Sequence, residues 1–324
     1  MRILVTGGMG FIGHNVVAEL CRQGHTVRVV DNQTDYGVIP YEELNYVMAE
    51  RRKKIPANVL VHQIDIESSA VAFVFEQFLP EAVVHLASLP RQRVVNKNPQ
   101  LGSRVMSEGL LNLLELSVKH HVEKFVYVSS SMVYGNFERA NEDTGCRPMG
   151  QYAILKWAGE QLVRDYSRRT GMSHVIVRPS AVYGPLDVED RVVSKFMLGA
   201  MRGERLQVRG PWETLDFTHV NEAARGIVAA ALSQSVTWGT YNISRGRVRT
   251  LLDAAEVAVK TVGSGLIDAV ASDPEFPSRG ELDTRAAWRD LEFGAKIDIE
   301  QGFRDYYTWL LSAPYYANQA ITHA

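Results

Sequence analysis

In the first half of the chain, short apolar runs rich in β-branched residues alternate with longer stretches whose apolar residues recur every three or four positions. The runs at 2–5, 26–30, 59–63, 82–86, 124–128 and 174–177 predict strands. The stretches at 11–22, 41–54, 69–78, 101–121 and 152–170 predict helices, the second of them polar. At 11–22, Phe11, Ile12, Val16, Val17 and Leu20 fall on one helical face. Strands that alternate with helices belong in a parallel sheet covered on both faces. After Arg178 the pattern loosens. Strands are predicted at 206–209 and 240–243, helices at 191–201, 221–232 and 251–262, and Pro274 and Pro277 punctuate a late loop. The expected division is a first domain over 1–178 and a smaller C-terminal α/β lobe over 179–324 that shares elements with it. No repeat, low-complexity segment or Gly/Ser linker separates the two.

Between the first strand and the first helix lies Val5-Thr6-Gly7-Gly8-Met9-Gly10-Phe11-Ile12-Gly13. Gly7 permits the tight turn, Gly10 lets the backbone approach a pyrophosphate, and Gly13 lets the helix lie against the strand. The free N–H groups at the helix start then face the phosphates. Asp31 ends the second apolar run roughly 18 residues past Gly13, where an acid accepts from the ribose 2′-OH of NAD. The reading is a doubly wound, Rossmann-type parallel sheet that binds NAD, followed by a substrate-binding lobe.

Composition narrows this little. The 324 residues are 46% hydrophobic and 22% charged, with a formal net charge of −2. That balance gives no electrostatic case for nucleic acid or an anionic membrane. No apolar run approaches the ~18 residues of a membrane span. The chain starts directly on a strand, which leaves no room for a signal peptide. Two cysteines, Cys21 and Cys146, suit a reducing compartment, so a cytoplasmic protein is expected. No His/Cys/Asp spacing suggests a metal site.

Ligands of an open α/β sheet sit beyond the carboxyl ends of its strands. There the fifth strand runs into Ser129-Ser130-Ser131-Met132-Val133-Tyr134-Gly135, and Tyr152 and Lys156 follow on a helix at a spacing that shares one face. A phenol is a poor base at neutral pH, but a neighbouring ammonium and the positive nicotinamide ring both favour phenolate. Tyr152 can then exchange a proton with a substrate hydroxyl while a serine holds the same oxygen.

The chain resembles an extended short-chain dehydrogenase/reductase of the nucleotide-sugar epimerase/dehydratase group. The residues that carry the likeness are Thr6 to Gly13, Asp65-Ile66, His85-Leu86-Ala87, Ser129 to Gly135, Tyr152 with Lys156, Arg178-Pro179 with Val182-Tyr183-Gly184-Pro185, and Asp216-Phe217-Thr218-His219-Val220. The resemblance implies Ser130, Tyr152 and Lys156 as the catalytic set. It implies that Gly7, Gly10, Phe11, Ile12, Gly13, Asp31, Asn32, Asp65, Ile66, Leu86, Ala87, Ser88, Ser129, Tyr152, Lys156 and Pro179 contact NAD, with Asp65-Ile66 at the adenine. It also implies a homodimer paired through the helices at 101–121 and 152–170. In dehydratases of the group an acidic pair follows the catalytic Ser/Thr. Here those positions are Ser131 and Met132, neither of which is an acid at neutral pH, so an epimerase working at C4 is expected. A dehydratase or 4-keto-sugar reductase is the alternative within the group, and an NAD-binding regulatory or scaffold protein is the alternative outside it.

The departures from the group's pattern fall on substrate binding. Ala181 replaces an Asn, Leu215 replaces an Arg, Met106 replaces another Asn, and the late Arg-Pro-Gly motif is missing, although Arg279 lies nearby. Two explanations stay open. Either the phosphates are held elsewhere, with Arg91, Arg93 and Arg209 as candidates beside Ser130 and Ser131, or the substrate is not a common nucleotide sugar. Arg93 resembles an arginine of glucuronate-type epimerases.

Overall fold

The computed structural model describes residues 1–89, 91–272 and 277–321. Its first strands are β1 (Arg2–Thr6), β2 (Thr26–Val30), β3 (Leu60–His62), β4 (Ala82–His85) and β5 (Lys124–Val128). With Ser173–Pro179 and Trp238–Ile243 they form one parallel sheet. Its order is Trp238–Ile243, Ser173–Pro179, β5, β4, β1, β2, β3. The helices are α1 (Gly13–Arg22), α2 (Tyr41–Lys54), α3 (Val71–Phe78), α4 (Gln92–Lys97), α5 (Pro99–Ser103), α6 (Gly109–Lys119), α7 (Gln151–Thr170), α8 (Val192–Met201), α9 (Val220–Leu232), α10 (Leu251–Val262), α11 (Arg285–Leu291), α12 (Ile299–Ser312) and α13 (Pro314–Ile321).

The strands read as continuous apolar runs because the sheet is buried on both faces. Ile3, Val5, Val84, Val126 and Val175 turn to one side, where α1 and α9 supply Val16, Val17, Leu20, Ile227 and Val228. Leu4, Val83, Phe125 and Ile176 turn to the other, where α3, α6 and α7 supply Val74, Phe75, Leu110, Leu113, Leu114 and Val163. Each such aliphatic or aromatic side chain contributes roughly 1.5–3 kcal/mol when fully buried. A third core joins α8, α10, α12 and the strand Arg205–Arg209 through Phe196, Met197, Leu206, Val208, Ala255, Phe303 and Tyr306.

Four expectations change. The predicted strand at 240–243 was expected in the second half; it starts at Trp238 and pairs with Ser173–Pro179 as an edge of the main sheet. The helix expected over 101–121 is α5 and α6 joined by a π-helical turn, Arg104–Glu108, with α4 ahead of them. Pro99 starts α5 because a proline has no N–H to give and suits the first helical position. Leu266–Val270, parallel to Arg205–Arg209, and Arg279–Leu282, parallel to Phe137–Ala140, are strands the loose pattern did not mark. Pro277 precedes the second of these, while Pro274 lies outside the described residues. Among the described residues no helix is long and apolar enough to cross a membrane.

Candidate active site

A cleft of about 530 Å³ opens at the carboxyl ends of the strands. Its floor is the glycine loop. Gly7 has φ +73°, and a Cβ there would sit 2.6 Å from the Ala87 nitrogen. A Cβ on Gly13 would lie 2.0 Å from the Gly7 carbonyl, so α1 can start this close to β1 only without a side chain. Below the loop, Thr6 Oγ1 and His85 Nδ1 are 2.7 Å apart. Burial drops the His85 pKa to about 3, so that contact is made by a neutral ring.

One wall suits an adenosine. Asp31, 9% exposed, accepts from the Met9 N–H at 2.8 Å and the Gln33 N–H at 2.7 Å. Those bonds oppose the burial that raises its pKa. Asn32 Nδ2 donates to Asp65 Oδ1 at 2.6 Å. Every residue expected at the cofactor lines this one cleft: Gly7, Gly10, Phe11, Ile12 and Gly13 on the floor, Asp31 and Asn32 after β2, Asp65 and Ile66 after β3, Leu86 to Ser88 after β4, Ser129 after β5, Tyr152 and Lys156 on α7, and Pro179. A cradle that a Cβ would fill, with a carboxylate beside it, fits a dinucleotide.

The chemistry-bearing residues meet at the end of β5. Ser130 is extended and starts a short 3-10 turn, Ser131–Tyr134, its Oγ accepting from Met132 N–H at 3.2 Å. Burial raises the Tyr152 pKa, and Arg191, the Ser130 hydroxyl and Arg279 work against that rise. Lys156 Nζ donates to the Val128 carbonyl at 2.8 Å. One turn along α7, the buried Glu160 receives Ser129 Oγ at 2.6 Å and a fork from Arg178 at 2.9 and 2.7 Å.

On the facing side, Arg91, Arg93, Ser130, Ser131, Ala181 and Leu215 all line the cleft as expected. Arg209 does not. In the strand Arg205–Arg209, Leu206 and Val208 turn into the core, so Arg209 is left facing solvent, and its expected substrate role is withdrawn. Arg91 pairs with Asp190, and burial lowers its pKa to about 10. Two groups missed by sequence reasoning, Asp187 and Arg191, also line the cleft, and so does Arg279, which the sequence marked only as lying near the missing Arg-Pro-Gly motif. Burial pushes Asp187 up to about 6, against the opposing charges of Arg191, Arg91 and Arg51. Arg279 is lowered to about 10 by burial, and its Nε is buried without a hydrogen-bond partner. The signal for Asp187 was an acid two residues past Tyr183-Gly184-Pro185. Arg191 carried no signal beyond a helix start.

The family model described as NAD dependent epimerase/dehydratase matches residues 3–244. The chain is 29% identical over 320 residues to the UDP-glucuronate 4-epimerase of Thermodesulfobacterium geofontis, a match that covers 94% of this chain and 95% of that one. It is 26% identical to the dTDP-glucose 4,6-dehydratase of Streptomyces niveus, over 95% and 92% of the two chains. The structure superposes on the crystal structure of UDP-glucuronic acid 4-epimerase from Bacillus cereus with UDP-glucuronic acid and NAD, at a TM-score of 0.87 and 25% identity, covering 95% and 98%.

Proposed function

The chain belongs to the NAD-dependent epimerase/dehydratase family, and from that premise we propose that it epimerises a nucleotide-activated sugar at C4 through a keto intermediate. NAD, held by Gly7 to Gly13, Asp31 and Asp65, supplies an acceptor and donor of hydride at the reacting carbon. Tyr152 takes the proton of the C4 hydroxyl and returns it to the ketone oxygen after the sugar has turned over. Ser130, in the same cleft as the phenol, holds that oxygen. Lys156, fixed by the Val128 carbonyl, and the guanidinium groups of Arg191 and Arg279 favour the phenolate. Arg91, Arg93, Arg191 and Arg279 offer the diphosphate the charge that Ala181 and Leu215 lack.

The observation that carries the reading is that Ser130, Tyr152 and Lys156 line one cleft with the glycine loop, and that Ser130 is followed by Ser131 and Met132 rather than by acids. A second reading, loss of water from the keto sugar, is favoured by Asp187, a carboxyl in the same cleft with its pKa raised to about 6. A panel of sugar nucleotides, hexoses and uronates alike, tests both. Epimerisation predicts transient reduced-nicotinamide absorbance and a C4 epimer by NMR. A deoxy-keto product would establish the second reading instead, and neither signal with any member would remove the enzyme assignment. A homodimer through α6 and α7 is also proposed, with the half-exposed Ile154 of α7 at its seam.

A further inference from the structure

The helix α2 is polar along its length, yet it buries two ionisable groups. Glu43 is 1% exposed and Arg51 is 6% exposed. They stand about two turns apart. Glu43 Oε1 accepts from the Glu189 N–H at 2.8 Å and from Tyr316 Oη of α13 at 2.7 Å. Arg51 Nη2 donates to the Leu186 carbonyl at 2.8 Å, and its Nη1 donates to the Met9 carbonyl of the glycine loop at 3.4 Å. One helix therefore grips both ends of residues 186–189 and the middle of the cofactor loop.

What those anchors hold is part of the cleft. Asp187 lies between them, its Oδ1 accepting from Val188 N–H at 2.9 Å while its Oδ2 is buried without a hydrogen-bond partner. Asp190 pairs with Arg91 from the other side, and Arg191 follows. Leu186 has φ +68°, a left-handed conformation that a residue with a side chain keeps only when its surroundings enforce it. The Arg51 bond falls on the carbonyl of that same residue. Burying an arginine and a glutamate costs free energy that their bonds offset; here Arg51 bonds to two loop carbonyls with its Nε left without a partner, and Glu43 accepts from a loop N–H and from Tyr316.

We propose that Glu43 and Arg51 are positioning residues: together they hold residues 186–191 in the cleft, and Arg51 couples that hold to the cofactor loop. Binding of NAD against Gly7 to Gly13 fixes the Met9 carbonyl, and through Arg51 it also steadies Leu186 and Asp187. Linkage makes the effect reciprocal, so a substrate that orders 186–191 tightens NAD. The inference rests on the NAD site of the proposed function and not on the sugar.

Hydrogen exchange of the full chain, stripped of NAD and then reloaded with it, tests this without any sugar present. In the wild type, NAD slows amide exchange at 186–191 by about tenfold as well as at 7–13. In Arg51→Met the protection at 7–13 stays and that at 186–191 falls below about twofold, and Arg51→Lys restores part of it. In Glu43→Gln, 186–191 exchanges faster in both states but still responds to NAD, which keeps a test in hand if Arg51→Met does not fold. Full NAD protection of 186–191 in Arg51→Met would overturn the proposal, as would no protection in the wild type or a lost response in Glu43→Gln. Failure in the sugar panel leaves this result untouched.

Discussion

The side-chain nitrogen of Lys156 lies 6.0 Å from the centre of the Tyr152 ring and is held by the carbonyl of Val128. It also sits 5.3 Å over the ring of Tyr127. Burial drops the Lys156 pKa to about 7, with Glu160 opposing the drop. A cation of that kind is poised to lose its proton near neutrality, and the charges that lower the Tyr152 pKa are those of Arg191 and Arg279.

Lys156 makes stability depend on pH. Its folded pKa of about 7 lies below the ordinary 10.5, so between those values the unfolded chain holds a proton that the folded chain has lost. Stability then rises with pH in that window, by up to about 1.4 kcal/mol per unit from this group. Below it both states are protonated and the burial cost is felt in full. Denaturant unfolding of the NAD-free protein should show this slope in the wild type and lose it in Lys156→Met. Equal slopes would contradict the burial of a titrating lysine.

Arg279 should move the pH profile of turnover. Its charge lowers the Tyr152 pKa, so in Arg279→Met the phenol titrates higher and the acid limb of kcat shifts upward. An unshifted limb with only a raised KM would limit Arg279 to substrate binding.

Glu160 and Arg178 form a buried pair, their side chains 0% and 2% exposed. Removing one partner strands a charge and costs about 3–5 kcal/mol, whereas replacing both with apolar residues costs less than the sum. Arg178→Met, Glu160→Leu and the double variant, compared by urea unfolding, give the coupling directly. Additive losses would show that the pair acts as two independent groups.

Asp31 should exclude NADP. A 2′-phosphate would meet its carboxylate and the nearby Asp65. NADP is expected to bind at least about 100-fold more weakly than NAD, a difference of ~2.7 kcal/mol, and Asp31→Ser should narrow the gap. Fluorescence titration measures both constants, and comparable affinities in the wild type would refute the assignment.

The first half of this molecule was legible because a parallel sheet buried on both faces leaves uninterrupted apolar runs such as Ala82-Val83-Val84, and because Gly7 and Gly13 stand where no Cβ fits. The second half was less so. The edge strand Trp238–Ile243 reads as one more isolated run until its partner Ser173–Pro179 is known. Arg51 looks like any basic residue of a polar helix, since its partners are carbonyls at Met9 and Leu186 rather than a charge at helical spacing. Arg209 misled because strand alternation, which turns it to solvent, depends on the register of Leu206 and Val208.

In the proposed reaction one carbon loses and regains the same hydride. A nucleotide sugar found active in the panel, labelled with deuterium at C4, tests it most directly. The account predicts that the C4 epimer keeps the deuterium on the inverted carbon, seen by mass and NMR. Product in which that deuterium has been lost to solvent, or has moved to the carbon two positions away with loss of water, would contradict it.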